Sequence, residues 1–303
     1  MAKVREMKTV KEIVRRAIDL HFHIGPEIIP RKYTVDGLAK TLQWKMGGFA
    51  LKSHFFPTVP MIRQATALAT ADGKDDLLLI GSVTLNWPVG GLNPEAVRTS
   101  AGLSEKPIIV WFPTISAKNY LDKSEFEIRP EWVNNPLFRP RASGGLKGIS
   151  VLVEGRLSDE ALDVLKAIRE CDAVLATGHI SWQESELLAE KALKWGIKVI
   201  ITHPIYQLID MPIKIQKRLA DMGAFIEVCY SMYSIDKIPL EKLASQIKEI
   251  GAEKCILSSD LGQRFSKDPD VALEEFARML MQEGISAEEL GMMMVTNPRK
   301  LVD

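Results

Sequence analysis

His21 and His23 stand two residues apart near the end of a short apolar run, Ala17-Ile-Asp-Leu-His-Phe-His-Ile-Gly25. If that run is a β-strand closing on a glycine turn, both imidazoles face the same way, because side chains alternate along a strand. Neutral imidazole is a common ligand for divalent metals, and two at this spacing can grip one ion. Taken alone, the pair fits two ordinary polar residues at a strand end equally well. The remaining histidines, His54, His179 and His203, each follow a short apolar run of their own. All five histidines therefore fall at the C-terminal ends of expected strands.

Asp260 closes another such run, Cys255-Ile-Leu-Ser-Ser-Asp260. A carboxylate there can bind a metal, accept a proton from water, or do both. Lys52 precedes His54 by two residues and shares its face. An ammonium at that inward depth needs an anionic partner, a shifted pKa or a covalent modification. The bland reading is a charge that snorkels to solvent. Glu227, in Ala224-Phe-Ile-Glu-Val-Cys-Tyr230, reads either as a supporting acid behind the ligands or simply as a rim residue.

These residues need a scaffold that gathers strand ends. Eight apolar runs alternate with helical periodicity from residue 7 to residue 295, which predicts βα units and a parallel sheet. The third run is Leu77 to Asn86, and the fourth is Pro107 to Pro113. Eight repeats are the count for an α/β (β/α)₈ TIM barrel, whose strand ends share one catalytic rim. A doubly wound open sheet competes, but it usually carries a glycine-rich phosphate loop after the first strand. That turn here is His23-Ile-Gly-Pro-Glu27, which is no such loop. Asn93 with Pro94, and Ser158, are expected to start helices. Glu154-Gly155 is expected to turn a small hairpin. Residues 114–147, after strand four, break the rhythm and are expected to form a lid insertion over the rim. The chain, 1–303, is expected to be one domain.

Composition excludes several classes. The 303 residues hold 39 basic and 39 acidic side chains, so there is no electrostatic footprint for nucleic acid or an anionic membrane. The N-terminus is too charged for a signal peptide, and no apolar run approaches the ~18 residues that span a bilayer. Cys171, Cys229 and Cys255 are scattered, and read as buried hydrophobic cysteines. A cytoplasmic protein is expected, with a small-molecule substrate. The sequence carries no signal for or against a homo-oligomer.

The ordered set His21-x-His23, His179, His203 and Asp260 resembles the amidohydrolase superfamily of metal-dependent hydrolases. That superfamily places His-x-His on strand one, His on strands five and six, and Asp on strand eight. The ending Val295-Thr-Asn-Pro-Arg-Lys-Leu-Val also looks like its closing helix. A closer resemblance lies in Leu51-Lys-Ser-His-Phe-Phe-Pro-Thr58, Gly90-Gly-Leu-Asn-Pro94 and Thr177-Gly-His-Ile-Ser181. It is to a barely characterised amidohydrolase-like family.

The resemblance implies one or two divalent transition-metal ions, zinc foremost, with Mn, Fe, Co and Ni as alternatives. His21, His23, His179, His203 and Asp260 would be the ligands. Binuclear members usually bridge their ions with a carboxylated Lys or a Glu at the end of strand four. Strand four here ends Val110-Trp-Phe-Pro113, so either one ion is held or Lys52, carboxylated, takes the bridging role. The implied chemistry is attack of a metal-bound hydroxide on a carbonyl (amide, ester or lactone) or phosphoryl centre. Asp260, with Lys52 and His54, would serve catalysis. Candidates for substrate contacts are His54, Asn86, Trp111, Asn119, Arg139, Arg141 and Glu227, the arginines suiting an anionic substrate. Lyases and decarboxylases share this scaffold, and a metal-stabilised binding protein is the non-enzymatic alternative. Asp260 speaks against that last reading, because binding needs no proton shuttle.

Overall fold

The short apolar runs become strands because both of their faces are covered, which is the condition that favours near-continuous hydrophobic sequence over alternation. Every residue of β1 (Ile18–His23) and of β2 (Gly48–Lys52) is buried. The computed structural model describes residues 2–71, 77–133 and 135–303.

Helix α1 (Ala2–Arg16) leads into β1, α2 (Val35–Leu42) joins it to β2, and α3 (Val59–Ala71) follows. Two three-residue strands come next, β3 (Leu78–Ile80) and β4 (Ser82–Thr84), then α4 (Pro94–Gly102), β5 (Ile109–Trp111) and α5 (Lys118–Lys123). The hairpin β6 (Leu152–Val153) and β7 (Arg156–Leu157) precedes α6 (Asp159–Glu170), β8 (Val174–Ala176), α7 (Trp182–Lys194), β9 (Val199–Ile201) and α8 (Ile213–Asp221). The chain then runs through β10 (Phe225–Cys229), α9 (Tyr230–Ser234), α10 (Leu240–Ile250), β11 (Cys255–Ser258), α11 (Pro269–Gln282), α12 (Ala287–Gly291) and α13 (Asn297–Val302). Apart from the hairpin, all strand pairs between named strands are parallel.

The strands form a three-stranded sheet, β1-β2-β3, and a six-stranded sheet, β11-β10-β9-β8-β5-β4. Two seams join them. The expected third strand is divided at Gly81: its first half pairs with β2 and its second half with β5. A Cβ at Gly81 would lie 2.4 Å from Val59 Cγ2, so the run bends where only glycine fits against α3. At the other seam His23 N donates to Leu261 O and Asp260 N donates to His21 O, both at 2.8 Å.

Side-chain caps set the helix starts. Asn93 accepts from Glu95 N and Ala96 N, and Ser158 accepts from Ala161 N, as the sequence predicts. Ser181 and Glu184 form a reciprocal capping box at α7. Glu184 also accepts from Ser150 Oγ and Val151 N, which ties the hairpin to that helix. The expected second strand stops at Lys52 instead of running to Phe56, because Ser53 Oγ and His54 N turn aside to donate to Glu27. Within 114–147, α5 and a 3₁₀ turn at Pro130–Trp132 give order that the sequence rhythm did not announce. A small apolar cluster of Ile29, Phe55 and Ile128, with Trp132 and Phe138 against it, anchors that segment.

The inner faces of the strands make one apolar layer that includes Ile18, Leu20, Ile109, Val174, Ile200 and Ile256. Leu301 and Val302, at the end of α13, complete that layer. Among the described residues, no helix is long and apolar enough to cross a membrane.

Candidate active site

Asp260 is the centre of a buried polar cluster. Its Oδ1 lies 3.0 Å from His21 Nε2 and 3.1 Å from His23 Nε2. Ser231 Oγ donates to Oδ2 at 2.7 Å. Burial would raise the Asp260 pKa, but His21 and His23 hold it well below the usual carboxylate range, so the group is ionised. Asp260 and His203 both take positive φ, 50° and 22°. Such backbone is costly for a side-chain residue and clusters at functional sites.

Beneath Asp260 lie the groups that orient His21. Both oxygens of Glu227 are 3.2 Å from His21 Nδ1, and Glu227 Oε2 accepts from His203 N. Asp19 Oδ1 accepts from His21 N and Ser259 N, binding the two seam strands together. Lys52 Nζ sits 2.9 Å from His21 Nε2 and 4.0 Å from the centroid of Trp111. Burial opposes protonation of His21, yet Asp260 foremost and Glu227 keep its pKa above the usual imidazole value. Burial lowers Lys52 from 10.5 to about 8.

That depression has a sign. Between about pH 8 and 10.5 the unfolded chain holds more protons at Lys52 than the native one, so stability rises with pH across the window. Metal-stripped wild type should gain up to about 3 kcal/mol there. Lys52→Met should lack that gain. Urea unfolding at both ends of the window checks it, and equal pH slopes for the two proteins would refute it.

The other imidazoles face the same centre. His54 is 4.7 Å from His23, His179 is 5.2 Å from His203, and His203 is 5.8 Å from His21, between ring centroids. His54 Nδ1 pairs with Thr114 Oγ1 at 2.9 Å. Burial, reinforced by Arg31 for His23 and by neighbouring imidazoles for His54 and His179, pushes these three pKa values well down. His203 falls to about 4, chiefly through burial. Among the described residues, the Nδ1 atoms of His179 and His203 are buried without a hydrogen-bond partner. Neutral imidazoles, two buried unpartnered ring nitrogens and an ionised aspartate are the donor set a divalent transition metal requires, so the residues fit such an ion.

A cavity of about 570 Å³ opens above the cluster, lined by His23, His54, His179, His203 and Asp260 at its base. Its walls include Tyr120, Phe126, Trp132 and Tyr206, with Ser231, Asp236 and Arg129. Arg31 also lines it and was not singled out by sequence. Its side chain is almost fully buried, pairs with the buried Glu27, and places Nη2 3.2 Å from His23 Nδ1.

Of the expected substrate contacts, His54 lines the cavity and the others lie elsewhere. Arg139 and Arg141 are exposed and outside this cavity, and Arg141 pairs with Glu127 on the surface, because its loop turns outward after Phe138. Asn86 is fully buried and holds the backbone of Thr114 and Ser116. Asn119 donates to His179 O and Leu208 O, bracing a loop. Trp111 and Glu227 sit below the cavity floor, with Trp111 4.4 Å from His21. Asn134, in the expected lid segment 114–147, lies outside the described residues.

Two glycines let the backbone close on this cluster. A Cβ at Gly262 (φ 132°) would meet His23 O at 2.1 Å, and one at Gly178 (φ 66°) would meet Phe112 O at 2.2 Å. Gly262→Ala should therefore destabilise the protein by at least ~2 kcal/mol and displace His23, since unfavourable φ and backbone overlap add. A denaturant melt together with metal titration checks this. Wild-type values in both would show that the chain relaxes freely there.

The model of a family described as "Family of unknown function (DUF6282)" matches residues 16–227. No curated protein matches the chain. Among solved structures, an amidohydrolase from Pseudomonas aeruginosa is similar at 11% identity and TM-score 0.60, over 96% of this chain and 97% of that one. The probable dipeptidase PvdM from the same organism is similar at 11% identity and TM-score 0.58, over 98% of each chain. A 2,6-dihydroxybenzoate decarboxylase from Rhizobium is similar at 12% identity and TM-score 0.51, over 94% and 97%. The mixed α/β fold with its parallel sheets is the one these amidohydrolase-superfamily structures share.

Proposed function

This chain belongs to the DUF6282 family of unknown function, and from that footing we propose that it is a metal-dependent hydrolase of small anionic substrates. The observation that carries the reading is the convergence of His21 Nε2 and His23 Nε2 on one oxygen of Asp260 at the base of a cavity. The strands, joined at both seams, would form a closed (β/α)₈ barrel, and residues 114–147 would be the lid that gives the cavity its aromatic wall.

His21, His23, His179, His203 and Asp260 would hold the ion, with Lys52 as a further ligand if carboxylated. Zinc suits this set, and Mn, Fe, Co and Ni are its competitors. When bound, such an ion supplies Lewis acidity towards a carbonyl or phosphoryl oxygen and makes water acidic near neutral pH. Asp260 takes the proton of the attacking water and returns it to the leaving group, while Ser231 fixes its carboxylate. Glu227 sets the tautomer and angle of His21. Arg31, preset by Glu27, binds the anionic group beside the reacting centre, and the aromatic wall excludes water.

Decarboxylation is the second reading. It is supported by the similar fold of the dihydroxybenzoate decarboxylase and by the same arginine, which would hold a carboxylate. The test is metal analysis of pure protein, followed by panels of hydrolase substrates and aryl carboxylates with and without a chelator. One or two equivalents of transition metal and chelator-sensitive turnover are expected. His203→Ala should lower metal content and activity together. Folded protein that takes up no added metal would overturn the proposal, and release of carbon dioxide without hydrolysis would select the second reading.

A further inference from the structure

We infer that Cys229 is a ligand of the metal centre, so that a thiolate joins the imidazoles and carboxylate and tunes the site towards a thiophilic ion of the zinc class. This rests on the metal-dependent reading above. Cys229 ends β10 two residues after Glu227, so the two side chains share one face of the strand. Glu227 points to His21, and Cys229 follows it one level nearer the cavity. One ligand atom from each of His21, Cys229 and Asp260 lies within 4.8 Å of the other two. Donors on a single tetrahedral zinc, with Zn–S near 2.3 Å and Zn–N near 2.0 Å, sit about 3.5 Å apart. A shift of roughly an ångström closes this trio on one ion.

The surroundings set Cys229 apart from the other two cysteines. It is fully buried, yet its thiol lies against the Glu227 carboxylate and close to Asp260 and Lys52. Cys229 also packs within the main apolar cluster, but a thiol that only fills a core has no carboxylate against it. A second observation points to the same ion: the unpartnered, buried Nδ1 of His203 belongs to a ring stacked 5.8 Å from His21. On coordination the S–H proton leaves to solvent as the sulfur–metal bond forms. A thiolate strengthens zinc and cobalt binding more than manganese binding, because manganese prefers oxygen donors.

The test uses cobalt(II) as the probe on the full chain. Wild-type protein loaded anaerobically with cobalt should show a near-ultraviolet sulfur-to-cobalt charge-transfer band. Cys229→Ser should lose that band while still binding cobalt, and its zinc affinity should fall at least ~10-fold, by more than its manganese affinity falls. Cys171→Ser and Cys255→Ser should keep the band. X-ray absorption of zinc-loaded wild type should independently show one sulfur scatterer near 2.3 Å. Cobalt-loaded wild type without the band, a band surviving in Cys229→Ser, or no sulfur scatterer would each overturn the assignment and leave the metal-dependent reading standing. Wild type that binds neither cobalt nor zinc would overturn both.

Discussion

Asp260→Asn is expected to keep its metal and lose turnover by ~10²–10⁴, the range for removing a general acid–base group. Asparagine preserves the size of the side chain and can still accept from Ser231 Oγ or an imidazole. It cannot take a proton from water, and it no longer supplies the negative charge that His21 and His23 face at 3.0 and 3.1 Å. The four histidines of the expected ligand set remain, so the site keeps enough donors for an ion. The loss belongs to the transition state and should appear in kcat more than in KM. Metal content and turnover measured on the same preparation decide the matter. Near-wild-type turnover would remove Asp260 from the mechanism, and with it the main reason to favour catalysis over binding.

Arg31→Met should have the largest effect on stability. Glu27 is buried with Arg31, and removing one member of a buried ion pair strands the other at a cost of ~3–5 kcal/mol. The Glu27 hydrogen bonds from Ser53 and His54 offset part of this, and they also mean that the damage would spread to His54. Arg31→Met combined with Glu27→Gln removes the stranded charge and should recover most of the stability. If Arg31 also binds the substrate's anion, the double variant should still bind benzoate ~10–100-fold more weakly than metal-loaded wild type, the worth of a hydrogen bond to a charged group. Denaturant melts and benzoate titration separate the two roles. A single variant as stable as wild type would refute the buried-pair argument. A double variant with unchanged benzoate affinity would take Arg31 out of substrate binding.

The clustering of the histidines was legible because each follows an apolar run, and strand ends gather in a parallel α/β fold whatever the loops do. The period-two rule also turned Lys52 inward on the face of His54, and the structure sets it beside His21. Arg31 was not legible by the same means. It sits in a polar loop, where an arginine reads as solvated, and its burial depends on that loop folding back through the pairing of Gly25 with Tyr33 and of Arg31 with Gln263. Naming Arg139 and Arg141 as substrate contacts, with Arg129 not considered, failed for a related reason. All three lie in one irregular segment, and only its path in space brings Arg129 to the cavity and sends the others out. Cys229 reads as a buried core residue, and it is one. Its alternation with Glu227 is the signal for the further role proposed above. The division of the third strand at Gly81 follows from a close approach of α3 that no local pattern encodes.

Leu301 and Val302 pack among the inner residues of strands that lie as far back as β1. Contacts between residues this far apart in sequence carry a high loop-closure cost and slow folding. They also set an order of events during synthesis. When β11 has left the ribosome, the inner apolar layer still lacks its plug, and Ile18, Leu20 and Ile256 have one side open to water. A nascent chain halted before residue 301 would hold the strands but not a sealed interior, and would be a substrate for chaperones. Arrest of translation just short of α13 should therefore yield protease-sensitive chains. Emergence of α13 should convert them to the resistant form.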